Sequence, residues 1–208
     1  MSEKIAVIIP CYKVNDHILD LLSKIPKFVD NIYCIDDFCP NFSGKLIEKQ
    51  TSDKRIRVLY HEENKGVGKA VMTGYFAAHD DGCDIAVKID GDGQMDPELI
   101  PNFIDPIIKG RSDYTKGNRF FSLDGISKMP KSRLLGNAIL SFITKVSSGY
   151  WNIFDPTNGF TAIHLSLIEI IDFKKVANRY FFESDLLFRL NINRCVVTDI
   201  PMKAIYKN

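Results

Sequence analysis

Asp90-Gly91-Asp92-Gly93-Gln94 places two carboxylates and a side-chain amide at alternate positions. Oxygen donors of this kind are what a hard divalent cation takes, and the interposed glycines let the backbone come close to a ligand. A calcium loop of the EF-hand type is excluded by spacing, because it needs Gly where Met95 stands and Glu where Pro101 stands. Asp and Gly also build ordinary polar turns, so the motif alone leaves that reading open.

Asp36-Asp37 is a second acidic pair, suited to accept hydrogen bonds from a base or sugar ring with one carboxylate while the other caps a helix. Adjacent carboxylates repel, so a buried pair needs partners. Residues 64–70 read Asn-Lys-Gly-Val-Gly-Lys-Ala. They fail the Walker pattern, which requires Gly at Glu63 and Ser or Thr at Ala70, and leave a glycine-eased helix start. Gly117-Asn118-Arg119 carries a guanidinium able to clamp phosphate oxygens. Glu183-Ser184-Asp185 opens a helical pattern, where acids also suit the helix dipole. Asp155-Pro156-Thr157-Asn158-Gly159-Phe160 is turn chemistry ending in an aromatic of core type.

These residues need a frame that brings them together. Strand patterns fall at residues 4–9, 31–36, 56–60, 84–89, 113–117, 160–164 and 195–201. Helical patterns fall at residues 15–28, 42–51, 65–79, from Pro97 onward, at 133–146 and at 182–190. Residues 118–131 read as a loop able to cover the site. The alternation predicts an α/β fold with a mostly parallel central sheet and helices on both faces. In such sheets ligands bind beyond the carboxyl ends of the strands, where the acidic pairs stand.

Composition narrows the function classes. The 208 residues carry 27 Lys+Arg against 26 Asp+Glu, without the basic excess of a nucleic-acid binder. Apolar runs are too short for a membrane span, and the N-terminus does not read as a signal peptide. Five scattered cysteines without a C-x-x-C suggest neither a disulfide framework nor zinc, and point to a reduced, cytoplasmic setting.

In chain order, Val7-Ile8-Ile9-Pro10-Cys11-Tyr12, Ile35-Asp36-Asp37, Asn64-Lys65-Gly66 with Ala70 and Gly74, the run from Asp90 to Pro97, and Gly117-Asn118-Arg119 form one series. With it the chain resembles a family 2 glycosyltransferase of the GT-A (Rossmann-like) fold. The resemblance covers most of the chain and is clearest over residues 4–120. The Asp-x-Asp-x-Gln form is similar to the dolichol-phosphate mannose synthase-like branch, which glycosylates polyprenyl phosphates.

The resemblance implies one catalytic domain over residues 1–208, open to continuation at its C-terminus, and a nucleotide-diphosphate sugar lying across the strand ends. It gives Pro10 and Tyr12 to the nucleoside, Asp36 or Asp37 to the base, and Lys65 to the nucleotide sugar. Asp90 goes to the ribose or sugar, Asp92 and Gln94 to Mg²⁺ or Mn²⁺, and Arg119 to the departing diphosphate. Transfer inverts the anomeric centre. The implied acceptor is a dolichyl- or undecaprenyl-type phosphate. The alternative is a saccharide hydroxyl of a cell-surface polysaccharide, with Glu183 or Asp185 as base. A peripheral place at the cytoplasmic face of a membrane goes with the lipid acceptor, the helix over 133–146 lying on headgroups. A homo-oligomer stays open.

Overall fold

The computed structural model describes residues 3–121 and 131–203. Its strands form a seven-stranded sheet in the order β3-β2-β1-β4-β6-β5-β7. β1 (Ile5–Cys11) lies parallel between β2 (Asn31–Asp36) and β4 (Ile85–Lys88), and β3 (Ile56–Tyr60) extends the sheet beyond β2. β5 (Tyr114–Asn118) pairs in parallel with the edge strand β7 (Val197–Pro201). β6 (Thr161–His164) runs antiparallel between β4 and β5, the one reversal in an otherwise parallel sheet among the described residues.

Apolar runs on both faces are what a covered parallel sheet requires, and alternation along each strand sorts the side chains. Ile5, Val7 and Ile9 share a core with Ile32, Cys34 and Val87, covered by α1 (Ile18–Lys24), α2 (Ser43–Gln50) and α4 (Ile100–Ile108). Ala6 and Ile8 share the opposite core with Tyr33, Ile35 and Ala86, covered by α3 (Val67–Asp80) and by α6 (Phe182–Ile192). α5 (Lys131–Ser148) packs on α6. Each fully buried Ile, Leu or Phe contributes about 1.5–3 kcal/mol. The alternation also sends Lys88, in register with Ile8, into the α3/α6 side, where it is 1% exposed.

Element types follow the sequence pattern, and the ends differ for local reasons. α1 is shorter than residues 15–28, since Val14 takes the amides of His17 and Ile18 in a turn and Pro26 stops the far end. α3 starts at Val67 rather than Lys65 because Gly66 has φ +93° and leaves the helical region. Pro97 opens a 3₁₀ turn whose Glu98 amide is taken by Asp96, and the α-helix follows from Ile100. Within the segment read as a loop, Arg119–Phe121 forms a 3₁₀ turn and α5 already begins at Lys131. The rest of that loop, 122–130, and the final residues 204–208 lie outside the described residues.

Candidate active site

The carboxyl ends of β1, β2 and β4 open into a cleft of ≈ 420 Å³. Pro10 and Tyr12 line it from the end of β1, Asp37 from β2, and Asp90 and Asp92 from β4. Gly66, Val67 and Ala70 bring the first turn of α3 to the wall, and Arg179 and Tyr180 arrive from the segment before α6. The site is thus assembled at the end of the sheet where parallel strands leave their last groups without a following partner.

The two acids after β2 have separate tasks. Asp36 is buried, and its oxygens accept the amides of Cys39 and of Gly44 in the first turn of α2, at 2.7 Å each. It borders a neighbouring cavity beside Phe38, Phe42 and Tyr60 rather than this cleft. Asp37 borders the cleft, but its Oδ1 accepts the Lys65 amide at 2.8 Å and meets His61 Nδ1 at 2.7 Å, while Oδ2 accepts the Gly66 amide at 2.8 Å. Of the alternatives the sequence left for this pair, Asp36 is the helix cap. Lys65 reaches Asp37 through its backbone, and the wall beside it is made by Asn64, Gly66 and Val67.

The pair after β4 is arranged differently. Lys88 Nζ stands 2.9 Å from Asp90 Oδ1 and 2.8 Å from Glu183 Oε1, so one buried ammonium ties the metal-type loop to α6. Burial works against that ammonium, yet the carboxylates of Asp90 and Glu183 outweigh it and raise its pKa above the ordinary lysine value. Burial likewise works against the Glu183 charge, but Lys88 and Lys116 hold the carboxyl below its ordinary range. Asp92 and Gln94 are exposed, and the backbone N–H of Gln94 donates to Asp92 Oδ1 at 3.0 Å, closing the turn. The chain therefore offers two neighbouring oxygen side chains, Asp92 and Gln94, in the turn that lines the cleft. Among the described residues there is no cluster of three or more His, Cys, Asp or Glu able to hold a metal. Two side chains plus water and substrate phosphates are the way Mg²⁺ is usually bound, so the donor set fits such an ion.

Arg119 and Asp185 are held by neighbours that the sequence did not reveal. The Arg119 guanidinium meets the fully buried Asp155 in a fork, Nε–Oδ2 2.7 Å and Nη2–Oδ1 2.9 Å. Asp155 belongs to the turn before β6, where the Asn158 backbone carbonyl accepts from Lys116 Nζ at 2.6 Å. Burial pushes Lys116 down to about 8, against the pull of the Glu183 and Asp155 carboxylates. Phe160, at the end of this turn, is core, its ring stacked on Phe103 at 4.0 Å. Asp185 accepts the Ala177 amide at 2.7 Å and pairs with Arg189 at 3.2 Å. Glu183 and Asp185 thus sit at the start of α6 as expected, with separate partners.

A model of Glycosyl transferase family 2 matches residues 6–171. The chain belongs to that family. It is 31% identical, over 99% of its length and 88% of the relative's, to the UDP-N-acetylglucosamine–dolichyl-phosphate N-acetylglucosaminyltransferase of Methanococcus voltae. It is 24% identical to the polyprenol monophosphomannose synthase of Mycolicibacterium smegmatis, over 97% of this chain and 77% of that one. These relatives bear out the resemblance to the dolichol-phosphate mannose synthase-like branch. Among solved structures, glucosyl-3-phosphoglycerate synthase from Mycobacterium tuberculosis with Mn²⁺, UDP and phosphoglyceric acid superposes with TM-score 0.70 at 16% identity, covering 100% of this chain and 72% of that one. The fold is GT-A.

For this glycosyltransferase, the residues that sequence reading missed are mostly those that hold others. His61, Lys88, Lys116, Arg179 and Tyr180 carry no motif of their own. Lys88 had one available signal, a lysine inside a strand whose other positions are apolar. Gly66 and Gly68 had another, since a Cβ at either would collide with residues 177–182 and so marks a crossing segment.

Proposed function

We propose that this glycosyltransferase moves a sugar from a nucleotide diphosphate to a polyprenyl phosphate, with inversion and with Mg²⁺ or Mn²⁺, as one catalytic domain. The observation that carries the acceptor is the state of the two acids opening α6. Glu183 is tied to Lys88 and held below its ordinary range, and Asp185 is tied to the Ala177 amide and Arg189. A saccharide hydroxyl gains about 10²–10⁴-fold from a positioned base, which neither acid is arranged to be. A phosphate monoester, with a second pKa of about 6, arrives already charged and needs none.

In this reading Pro10 and Tyr12 hold the nucleoside, Tyr12 offering a half-exposed ring face. Asp37 and the Lys65 segment shape the base and ribose end, and Asp90 meets the ribose or sugar. The acceptor phosphate oxygen attacks the anomeric carbon from the face opposite the diphosphate, the bond to the diphosphate oxygen breaks, and the diphosphate leaves with the electron pair. Arg119 faces the charge that develops there, its plane fixed by Asp155 so that little reorganisation is needed. Asp92 and Gln94 would hold the cation, which when bound neutralises charge on the departing diphosphate.

A lipid acceptor calls for a membrane surface. No described helix is long and apolar enough to cross a membrane. On α5, Ile139, Phe142, Ile143 and Val146 are exposed at helical spacing, with Trp151 and Phe154 exposed just beyond. Residues 131–148 contain three basic side chains and no acid. An apolar stripe with basic flanks suits peripheral attachment to anionic headgroups.

The donor half is tested by thermal shift with UDP-, GDP- and TDP-sugars, with Mn²⁺ or EDTA. One nucleotide class should stabilise the protein only with metal, by about 2.7 kcal/mol at 100 times its Kd. No shift with any donor would contradict the reading.

A further inference from the structure

Six charged side chains run across the strand ends with alternating sign. Asp90, Lys88 and Glu183 are joined by contacts of 2.9 and 2.8 Å. Lys116 feels both Glu183 and Asp155, and Asp155 grips Arg119. The row therefore leads from an acid in the donor cleft to the cation proposed for the leaving group. Lys88 is a buried strand residue, 1% exposed, with Asp90 two residues on, just past the end of the same strand, and Glu183 brought to it by α6. Gly159 adds an independent constraint. A Cβ there would collide with the Asp90 carboxylate and stand 2.7 Å from Lys88 Nζ, so the turn that carries Asp155 is pressed directly against the Lys88–Asp90 pair.

A strand that needed only filling would place an aliphatic residue here, as β4 does at Ile85, Ala86 and Val87. A buried ammonium costs desolvation, and is tolerated only when its partners are well placed. Its effect is to fix where the Asp90 carboxylate points, since Oδ1 is held by the ammonium and Oδ2 lies close against the backbone of Gly159.

We propose that Lys88 is a positioning residue for sugar transfer: its buried ammonium holds Asp90 against Glu183 and so sets how the donor sugar is presented. This rests on the reading of the cleft as a nucleotide-sugar site. Of the two alternatives for Asp90, ribose or sugar, the proposal takes the sugar, with the base lying toward Tyr12 and Asp37. Losing Lys88 should therefore damage turnover and leave nucleotide binding intact.

The test compares wild type, Lys88→Met, Glu183→Gln and the double variant Lys88→Met/Glu183→Gln. Read out are melting temperature, kcat and KM for transfer to farnesyl phosphate, and the Kd of the matching nucleoside diphosphate (UDP, GDP or TDP) with Mn²⁺. Lys88→Met is expected to lose about 100-fold in kcat, in the range of a misplaced reacting group, with the diphosphate Kd within about threefold of wild type. The single substitution leaves the largely buried Glu183 carboxylate without its ammonium and lowers the melting temperature; the double variant removes that charge and recovers much of it. If Lys88→Met does not fold, the double variant carries the comparison. Recovery of stability without recovery of kcat is the expected result. The proposal is overturned if kcat returns together with the melting temperature, if Lys88→Met keeps near wild-type kcat, or if Glu183→Gln alone costs as much as the double variant. Should the wild type move no sugar to farnesyl phosphate, the acceptor reading fails on its own, and the same ratios are taken from donor hydrolysis to water.

Discussion

β2 and β4, the parallel strands on either side of β1, each end in a pair of aspartates, and the fold uses the two pairs in opposite ways. After β2, Asp36 and Asp37 are 3% exposed, and between them they accept four backbone amides and a histidine. After β4, Asp90 gives one oxygen to a buried lysine, and Asp92 stands exposed in the cleft. The first pair builds the loops that shape the cleft; the second is left available to a ligand. What separates them is how many oxygens the protein itself has used. An acid at a strand end is a binding group only when some of its accepting capacity remains.

Removing Asp92 should therefore hurt catalysis most and stability least. Asp92→Ala is expected to cost several kcal/mol of charge stabilisation, on the order of 10³-fold in rate, with an unchanged melting temperature. Full turnover in excess EDTA would break the contrast. Arg119→Ala should follow with roughly 10²–10³-fold in kcat, as for other preorganised charge stabilisers. A variant with raised KM alone would move Arg119 to ground-state binding.

The opposite signature belongs to the β2 pair. Asp36→Ala leaves two buried amides without an acceptor, at roughly 1–3 kcal/mol each. The melting temperature should drop by roughly 4–24 °C while the KM for the nucleotide sugar stays close to wild type. Equal melting temperatures for Asp36→Ala and Asp92→Ala would erase the distinction drawn here.

A smaller effect concerns Asp199, which accepts the Asn118 amide at 2.7 Å and the Phe154 N–H at 3.1 Å. Burial raises its pKa to about 6, against these donors and Lys116. The unfolded chain gives up this proton near the ordinary aspartate value, the folded chain only near 6. Stability should thus fall as pH climbs from about 4 to about 6, with the whole penalty present at pH 7. In Asp199→Asn, melting curves taken across that window should flatten and the pH 7 melting temperature should rise. An unchanged slope would show that another group sets it.

The frame of the molecule was legible because β1, β2 and β4 are covered on both faces and read as unbroken apolar runs ending in polar residues. The antiparallel insertion of β6 was not, since four residues flanked by turns carry no mark of direction. In the site, Pro10, Tyr12, Asp90 and Asp92 each stand in a motif legible in the sequence, and all four line the cleft. Asp155 was seen only as turn chemistry, because its partner Arg119 lies 36 residues away and nothing local announces the fork. Lys88 and Lys116 were hidden for the same reason. Glu183, which faces both lysines, comes from α6, and lysine in a strand looks local until that far carboxylate is in place.

The central claim is base-free transfer to a lipid phosphate, and the acceptor assay tests it most directly. Wild type, Glu183→Gln and Asp185→Asn are each given the preferred nucleotide sugar, Mn²⁺, and either farnesyl phosphate or a saccharide acceptor. The account predicts product on the phosphate, persisting in both variants at no less than about a tenth of the wild-type rate, below the 10²–10⁴-fold loss expected of a missing base. Transfer to the saccharide hydroxyl alone, abolished in either variant, would contradict it.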